Sequence, residues 1–255
     1  MKDLIIPDVH GRVFWKDILP LLSDKQYNKF IFLGDYLDPY PDEGFSRNES
    51  IKGLLDIIDL KTRYKDKIVL LLGNHDLGYL HSKINTCRRD YSKENIIRAI
   101  FTEFKSLFNL LYERPITNNQ EFDRVLYSHA GFTKGFLDFL KKYLPEVNED
   151  NLTAVINNYW HQDANTKEYC SLINLLSVVS FFRGGIEDFG SFVWADCREH
   201  CWREATIDKT IQIFGHSQQS SSPLITKYCA CLDVRQVFSF DYNTLEFRTL
   251  HEKAS

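Results

Sequence analysis

Apolar residues along the chain follow two rhythms. Short runs, mostly unbroken and rich in β-branched residues, occur at Leu4-Ile5-Ile6, Phe30-Ile31-Phe32-Leu33, Ile68-Val69-Leu70-Leu71-Leu72, Val125-Leu126-Tyr127 and Ile211-Gln212-Ile213-Phe214. Runs of this length predict strands, and the unbroken ones predict strands covered on both faces. Between them, apolar positions recur every three or four residues. One helix is predicted over about 14–22. A second starts at Ser46, where Glu49 three residues on completes a capping box, and places Ile51, Leu54, Leu55 and Ile58 on one face. A third follows Ser92, with Ile96, Ile97, Ile100, Phe101, Phe104, Leu107, Phe108 and Leu111 along an apolar, partly aromatic side expected to be core. Weaker helical patterns follow Thr133 and Asp150. The order β-α-β-α-β, then helices, then β predicts an α/β layered domain.

The C-terminal stretch predicts successive strands over 228–233, 236–240 and 245–248, with a turn at Asp241-Tyr242-Asn243-Thr244 before the last. Such a meander is expected to form a second sheet against the first. No linker or repeat interrupts the chain, so residues 1–255 read as one domain. Segments 83–123 and 133–190 are expected to be mostly helical insertions that form a cap.

Composition narrows the function. With 255 residues and 44% hydrophobic content, the chain can bury a core without disulfides. Acidic residues exceed basic ones, 35 to 31, giving a net charge of −4. That balance argues against a binder of nucleic-acid polymers. Phosphate chemistry stays open, because a metal can supply the positive charge. No stretch approaches the ~18–20 apolar residues of a membrane span, and the opening MKDLIIPDVHG lacks the apolar core of a signal peptide. A cytoplasmic protein without membrane partners is expected, its six cysteines reduced. Cys197-x-x-x-Cys201 and Cys229-x-Cys231 lack the C-x-x-C pair or histidine spacing that would support a zinc site.

The chemistry concentrates where the predicted strands end. Asp8-Val9-His10-Gly11 follows the first, Gly34-Asp35-Tyr36-Leu37-Asp38 the second and Gly73-Asn74-His75-Asp76 the third. Ser128-His129-Ala130-Gly131 and Gly215-His216-Ser217 follow the two later ones. In open α/β sheets, ligands bind at the carboxyl ends of strands, so these residues should converge. Carboxylate, amide and imidazole donors suit Mn, Fe, Zn or a similar divalent ion and need no thiolate. Asp35 can bridge two ions.

In order and spacing these blocks resemble the calcineurin-like metallophosphoesterase superfamily, whose motifs are D-x-H, G-D-x-x-D, G-N-H-[DE], H-[AG]-G and a late G-H. The resemblance runs over residues 8–216, and 228–233 is similar to the family's strand after the last histidine. It implies a four-layer α-β-β-α sandwich with helical insertions. It also implies a phosphatase that uses two divalent metal ions to activate a water. Asp8 and His10 match ligands of the first metal, Asp35 the bridging carboxylate, and Asn74, His129 and His216 ligands of the second. His75 matches the histidine near the leaving group, and Asp38 the carboxylate that orients it. The single histidine of Gly215-His216-Ser217-Gln218, with Trp194-Ala195-Asp196, resembles the branch of Ser/Thr protein phosphatases and bacterial dinucleoside tetraphosphatases. That branch has Arg-Gly after the second Asp of G-D-x-x-D, where this chain has Pro39-Tyr40. The phosphate clamp is therefore missing there, and Arg12 and Arg183, the latter in Phe182-Arg183-Gly184-Gly185, are candidate substitutes.

Some readings are plainer. His81, His161, His200 and His251 lie outside the motifs, and Asp3, Asp17 and Asp24 are expected to be solvated. Arg88-Arg89 reads as a solvated charge pair, or more sharply as a substrate-facing pair for a polyphosphate. Trp194 and Trp202 are expected in the core. Tyr36, Tyr40, Tyr79 and Tyr91 would suit a pocket for an aromatic or nucleotide substrate. The expected partner is therefore a phosphorylated small molecule or nucleotide rather than a protein. A dinucleoside polyphosphate hydrolase is the alternative within the class. A non-catalytic scaffold on the same fold is the alternative outside it, disfavoured because His75 and every ligand position are filled. No G-x-x-x-x-G-K-[ST] supports a P-loop kinase, and no G-x-G-x-x-G a dinucleotide cofactor.

Overall fold

The computed structural model describes residues 2–117, 119–201 and 205–250. Trp202 and His251 lie outside them. The first apolar runs form parallel strands β1 (Lys2–Ile6), β2 (Tyr27–Phe32) and β3 (Ile68–Leu71). Later in the chain come β4 (Phe108–Asn109), β5 (Tyr112–Pro115), β6 (Arg124–Tyr127), β7 (Thr210–Phe214), β8 (Leu224–Ile225), β9 (Cys229–Cys231), β10 (Phe238–Asp241) and β11 (Glu246–Thr249). Among the described residues one sheet has the order β11-β10-β1-β2-β3-β4 and the other β5-β6-β7-β9-β8.

Alternation explains how the sheets stack. Ile5, Ile31, Leu33, Val69 and Leu71 share a buried cluster with Val125, Tyr127, Ile211 and Ile213 of the second sheet. The intervening residues Leu4, Ile6, Phe30, Phe32, Ile68 and Leu70 belong to a separate cluster with the helices. Each of β1, β2 and β3 thus feeds two cores, which accounts for the unbroken apolar runs.

Helix α1 (Arg47–Tyr64) starts as its capping box predicts: Ser46 Oγ accepts from the Glu49 amide at 3.2 Å, and Glu49 Oε2 from the Ser46 amide at 2.8 Å. Helix α2 (Asn74–Leu80) follows β3 directly. Then come α3 (Glu94–Glu103), α4 (Lys134–Tyr143), α5 (Leu152–His161) and α6 (Lys167–Leu176), with Thr133 and Thr166 capping α4 and α6. No helix among the described residues is long and apolar enough to cross a membrane.

Three expectations change. Residues 14–21 wind as a 3-10 helix containing Pro20, whose missing N–H removes a backbone bond. The helix after Ser92 stops at Glu103, because Phe108 and Asn109 pair with Leu70 and Leu71 instead. The insertion over 83–123 is therefore part strand. The C-terminal meander is split: β9 joins the second sheet, whereas β10 lies antiparallel to β1 in the first.

Candidate metal centre

The strand-end residues do meet. His10 follows β1 and donates its Nδ1–H to the Leu37 carbonyl at 2.7 Å, which leaves the Nε2 lone pair facing inward. His129 follows β6 and is fixed in the same way by the Leu33 carbonyl at 2.9 Å. Asp35 Oδ2 lies between the two rings, 3.5 Å from His10 Nε2 and 3.4 Å from His129 Nε2. On the far side, His129 Nε2 is 3.0 Å from Asn74 Oδ1 and 3.1 Å from His216 Nδ1. Asp8 Oδ2 is 3.9 Å from His10 Nε2, and its Oδ1 accepts the His216 amide at 2.9 Å. Among the described residues, two groups of donors are close enough to hold an ion: His10, Asp35 and His75, and Asp35, His129 and His216. They share Asp35, and neither contains a cysteine.

The donor chemistry fits divalent cations. Lone pairs on His129, His216, Asn74 and Asp35 converge with too few hydrogens to join them, so the cluster needs a positive charge at its centre. Burial opposes protonation of His129, yet Asp35 and Asp8 lift it to about 9, so a proton serves where no metal does. For His10 burial outweighs the pull of Asp35, so it is pushed down to about 3 and presents a neutral imidazole. Burial and then Arg183 hold His216 well below the usual range. Burial raises Asp8, whereas for Asp35 burial is outweighed by His129 and His75, which hold it ionised.

The backbone is shaped for this convergence. His10, Asp35, Asp38 and His216 all have positive φ, between 44° and 62°, a concentration of strain typical of functional sites. A side chain at Gly73 would place its Cβ 2.1 Å from Asp35 Oδ1 and 2.7 Å from His129 Cε1. At Gly215 it would lie 2.1 Å from Asp8 Oδ1. Both glycines are there because a carboxylate occupies the space.

His75 Nδ1 lies 2.6 Å from Asp38 Oδ2, and its ring meets His10 edge-on at 5.1 Å between centroids. Burial works against its charge, but Asp35 and the hydrogen bond to Asp38 push it up to about 10. A cation at the centre would take up Asp35, leaving Asp38 as the anion that sustains the imidazolium.

Two candidate phosphate arginines differ in their commitments. Arg12 Nε and Nη2 grip Glu43 at 2.7 and 3.0 Å, and Nη1 donates to the Asp8 carbonyl at 3.2 Å. Arg183 pairs with Asp196 at 3.0 Å and donates to Ser217 Oγ at 2.6 Å, beside His216.

Sequence reasoning missed several supports. The Asp76 carboxylate accepts amides from Gly73, Asp35 and Tyr36 at 2.9, 2.7 and 3.0 Å, tying the ends of β2 and β3 together. Tyr79 donates its hydroxyl to Asp38 Oδ1. Its position four residues after His75 on α2 was the available signal. Asp233, buried after β9, is pushed well up by burial and by Asp8.

Other expectations are corrected. Asp3 is fully buried and pairs with Arg114 at 2.5 Å and Tyr242 at 2.8 Å. Tyr36 is core, its hydroxyl on the Leu71 carbonyl, and Tyr79 belongs to the site's support, so these two line no substrate pocket. Arg88-Arg89 is not a solvated pair: Arg89 is buried against Glu94 at 2.8 Å, and Arg88 stacks on Tyr40. His81 accepts from Tyr169 in the helical layer, away from the centre. Trp194 packs against the core but also meets the His216 ring at 5.8 Å.

Known proteins place this arrangement. The serine/threonine-protein phosphatase 4 catalytic subunit of Kluyveromyces lactis is 31% identical over 124 residues, 46% of this chain and 36% of that protein. The chain thus spans only about a third of the length of this curated relative. The structure of a protein serine/threonine phosphatase from Saccharomyces cerevisiae covers all of this chain and is matched over 81% of its own, with a TM-score of 0.54 at 13% identity. A cold-active protein tyrosine phosphatase mutant covers 98% of this chain and is matched over 80%, with a TM-score of 0.51 at 17% identity. At these identities the likeness is one of fold. The pattern of the calcineurin-like phosphoesterases matches residues 1–220, from the start of β1 past His216, and to that family the chain belongs.

Proposed function

We infer that the protein is a phosphatase: a hydrolase of phosphoesters that works with two divalent metal ions and acts on small phosphorylated molecules. The observation that carries this reading is the placement of Asp35 Oδ2 between His10 Nε2 and His129 Nε2, at 3.5 and 3.4 Å, as the shared member of two donor groups. Asp8 and His10 would hold the first ion with Asp35, and Asn74, His129 and His216 the second, while His75, also within reach of the first group, is kept by Asp38 for the leaving oxygen. Divalent ions held by these residues would lower the pKa of a bound water and offset the charge of phosphoryl oxygens.

The chain's own residues do the rest. Asp38 accepts from His75 Nδ1 and sustains the imidazolium, whose Nε2 then also carries a proton. His75 gives that proton to the departing oxygen, a contribution of about 10²–10⁴ in rate. Tyr79 holds Asp38 from its other oxygen, so the pair cannot rotate away. Arg183 brings a guanidinium beside His216, where its pairing with Asp196 and its hydrogen bond to Ser217 make it a positioning group for that loop. Arg12, gripped by Glu43, acts in this reading as a brace for the Asp8 loop rather than as the clamp.

The test is a substrate panel with Mn²⁺-loaded protein: p-nitrophenyl phosphate, its bis ester, phosphopeptides and diadenosine tetraphosphate. Hydrolysis that disappears on chelation and returns with metal supports the reading. A dominant rate on diadenosine tetraphosphate would move it to the polyphosphate hydrolases. A protein that binds no divalent ion and cleaves nothing would be a scaffold, and the reading would be wrong.

A further inference from the structure

Three guanidinium groups surround the ring of Tyr40: Arg88 at 3.8 Å from its centroid, Arg12 at 5.2 Å and Arg235 at 5.9 Å. Two are already neutralised by one carboxylate. Arg12 grips Glu43 with two nitrogens, and Arg235 Nη2 reaches Glu43 Oε1 at 2.9 Å. Arg88 differs, since no carboxylate among the described residues lies within 4.0 Å of its nitrogens. Its Nε donates to the Asp38 carbonyl at 3.1 Å, and Nη1 is 3.4 Å from Cys87 Sγ. It is half-buried and holds a φ of +62°, which a residue other than glycine adopts only when its surroundings impose it.

The position of this free cation matters more than its number. The Asp38 carbonyl it grips belongs to the peptide leading into Pro39, where the arginine expected from the family motif is missing. The carboxylate of the same Asp38 holds His75. Cys87, the neighbour of Arg88, hydrogen-bonds His75 and is lowered by it. On the other side, the Tyr40 ring meets His10 edge-on at 5.3 Å. Arg88 therefore stands one aromatic ring from a metal-ligand histidine and one residue from the partner of the leaving-group histidine. Stacking holds the guanidinium by its face and leaves N–H groups at its edge.

The geometry points to Arg88 as the residue that grips the phosphoryl group of the substrate, delivering from the loop after α2 the guanidinium that Pro39 cannot supply. This rests on the phosphoesterase reading and deepens it by naming the ester class. A guanidinium fork binds two oxygens at once. A monoester has three non-bridging oxygens and close to two negative charges to offer near neutral pH, whereas a diester has two such oxygens and one charge. Arg88 should therefore select phosphomonoesters over diesters.

The experiment uses the full chain loaded with Mn²⁺, as wild type, Arg88→Ala, Arg88→Lys and Arg235→Ala. KM and kcat are measured for p-nitrophenyl phosphate and bis(p-nitrophenyl) phosphate, together with the inhibition constant of inorganic phosphate. For Arg88→Ala the monoester KM and the phosphate constant should rise about tenfold to a hundredfold. The diester KM should move by no more than about threefold, since less of its binding passes through the fork. Arg235→Ala should stay within about twofold of wild type throughout, because its charge is spent on Glu43. Arg88→Lys, which keeps the stem and the charge without the fork, should still lose at least about threefold on phosphate. It keeps the inference testable if the alanine variant does not fold. Variants at Arg88 with wild-type phosphate inhibition, or with equal losses on both esters, overturn the inference while leaving the phosphoesterase reading intact. Wild-type protein that cleaves neither these esters nor diadenosine tetraphosphate overturns both.

Discussion

His75 and Asp38 are joined by a 2.6 Å contact between Nδ1 and Oδ2, and the other oxygen of Asp38 is held by Tyr79. One end of the imidazole is thereby fixed, and whatever chemistry it performs must leave through Nε2.

His75→Asn should lower turnover of an alkyl phosphate by about 10²–10⁴ while bound metal stays near wild type. The loss should be smaller on p-nitrophenyl phosphate, whose leaving group needs no proton. Paired metal analysis and steady-state rates on the two esters check this. Equal losses on both would remove the proton-donor role.

Asp38→Asn should shift the pH profile. The hydrogen bond to Asp38 helps hold the His75 imidazole in its protonated, donating form. Without the carboxylate the proton leaves earlier, and the alkaline limb of kcat should move to lower pH. A kcat profile from pH 6 to about 10.5 on an alkyl phosphate reads the shift.

Gly73→Ala should damage the centre without breaking the fold. The backbone at Gly73 is extended, with φ −97°, so alanine costs little there by itself. The added Cβ instead meets the Asp35 carboxylate at 2.1 Å. Metal affinity should fall about 10–100-fold, the range for disturbed support of metal ligands. The melting temperature of the chelated protein should fall far less than that of a core truncation. Titration calorimetry with Mn²⁺ and a thermal melt separate the two effects.

His200 predicts an acid-sensitive stability. It is buried against the Phe214 ring at 4.7 Å, and burial pushes it down to about 4 from its ordinary 6.5. The unfolded chain therefore binds a proton that the folded chain refuses. Its share of stability is full above about pH 6.5 and is lost as pH falls towards 4, by up to about 3 kcal/mol. His200→Gln, which does not titrate, should flatten urea midpoints compared between pH 7 and pH 5.

The convergence of the strand-end residues was readable in the sequence because those residues are encoded locally. Each sits within a few residues of an apolar run, and strand ends in an α/β sheet point the same way. Features that depend on a distant partner were not readable. Nothing near Phe108 says that it will pair with Leu70 rather than extend a helix, since a short apolar run suits both. The destination of β10 depends on a register with β1 more than 230 residues away. Asp3 looked like a solvated residue until Arg114, Tyr127 and Tyr242 closed over it. Arg12 and Arg88 are equally basic in sequence, and only Glu43, which pairs with Arg12 and not with Arg88, divides them.

The candidate ligands come from two different sheets, His10, Asp35 and Asn74 from the ends of β1, β2 and β3, and His129 and His216 from the ends of β6 and β7. A cation bound there acts as a rivet through the seam between the layers. Each layer otherwise holds the other by side-chain packing, which tolerates a small slide, whereas coordination does not. Ion loading should stiffen the whole sandwich, with slower amide exchange in the central strands of both sheets together, and the stabilisation should grow with the free ion concentration as linkage requires.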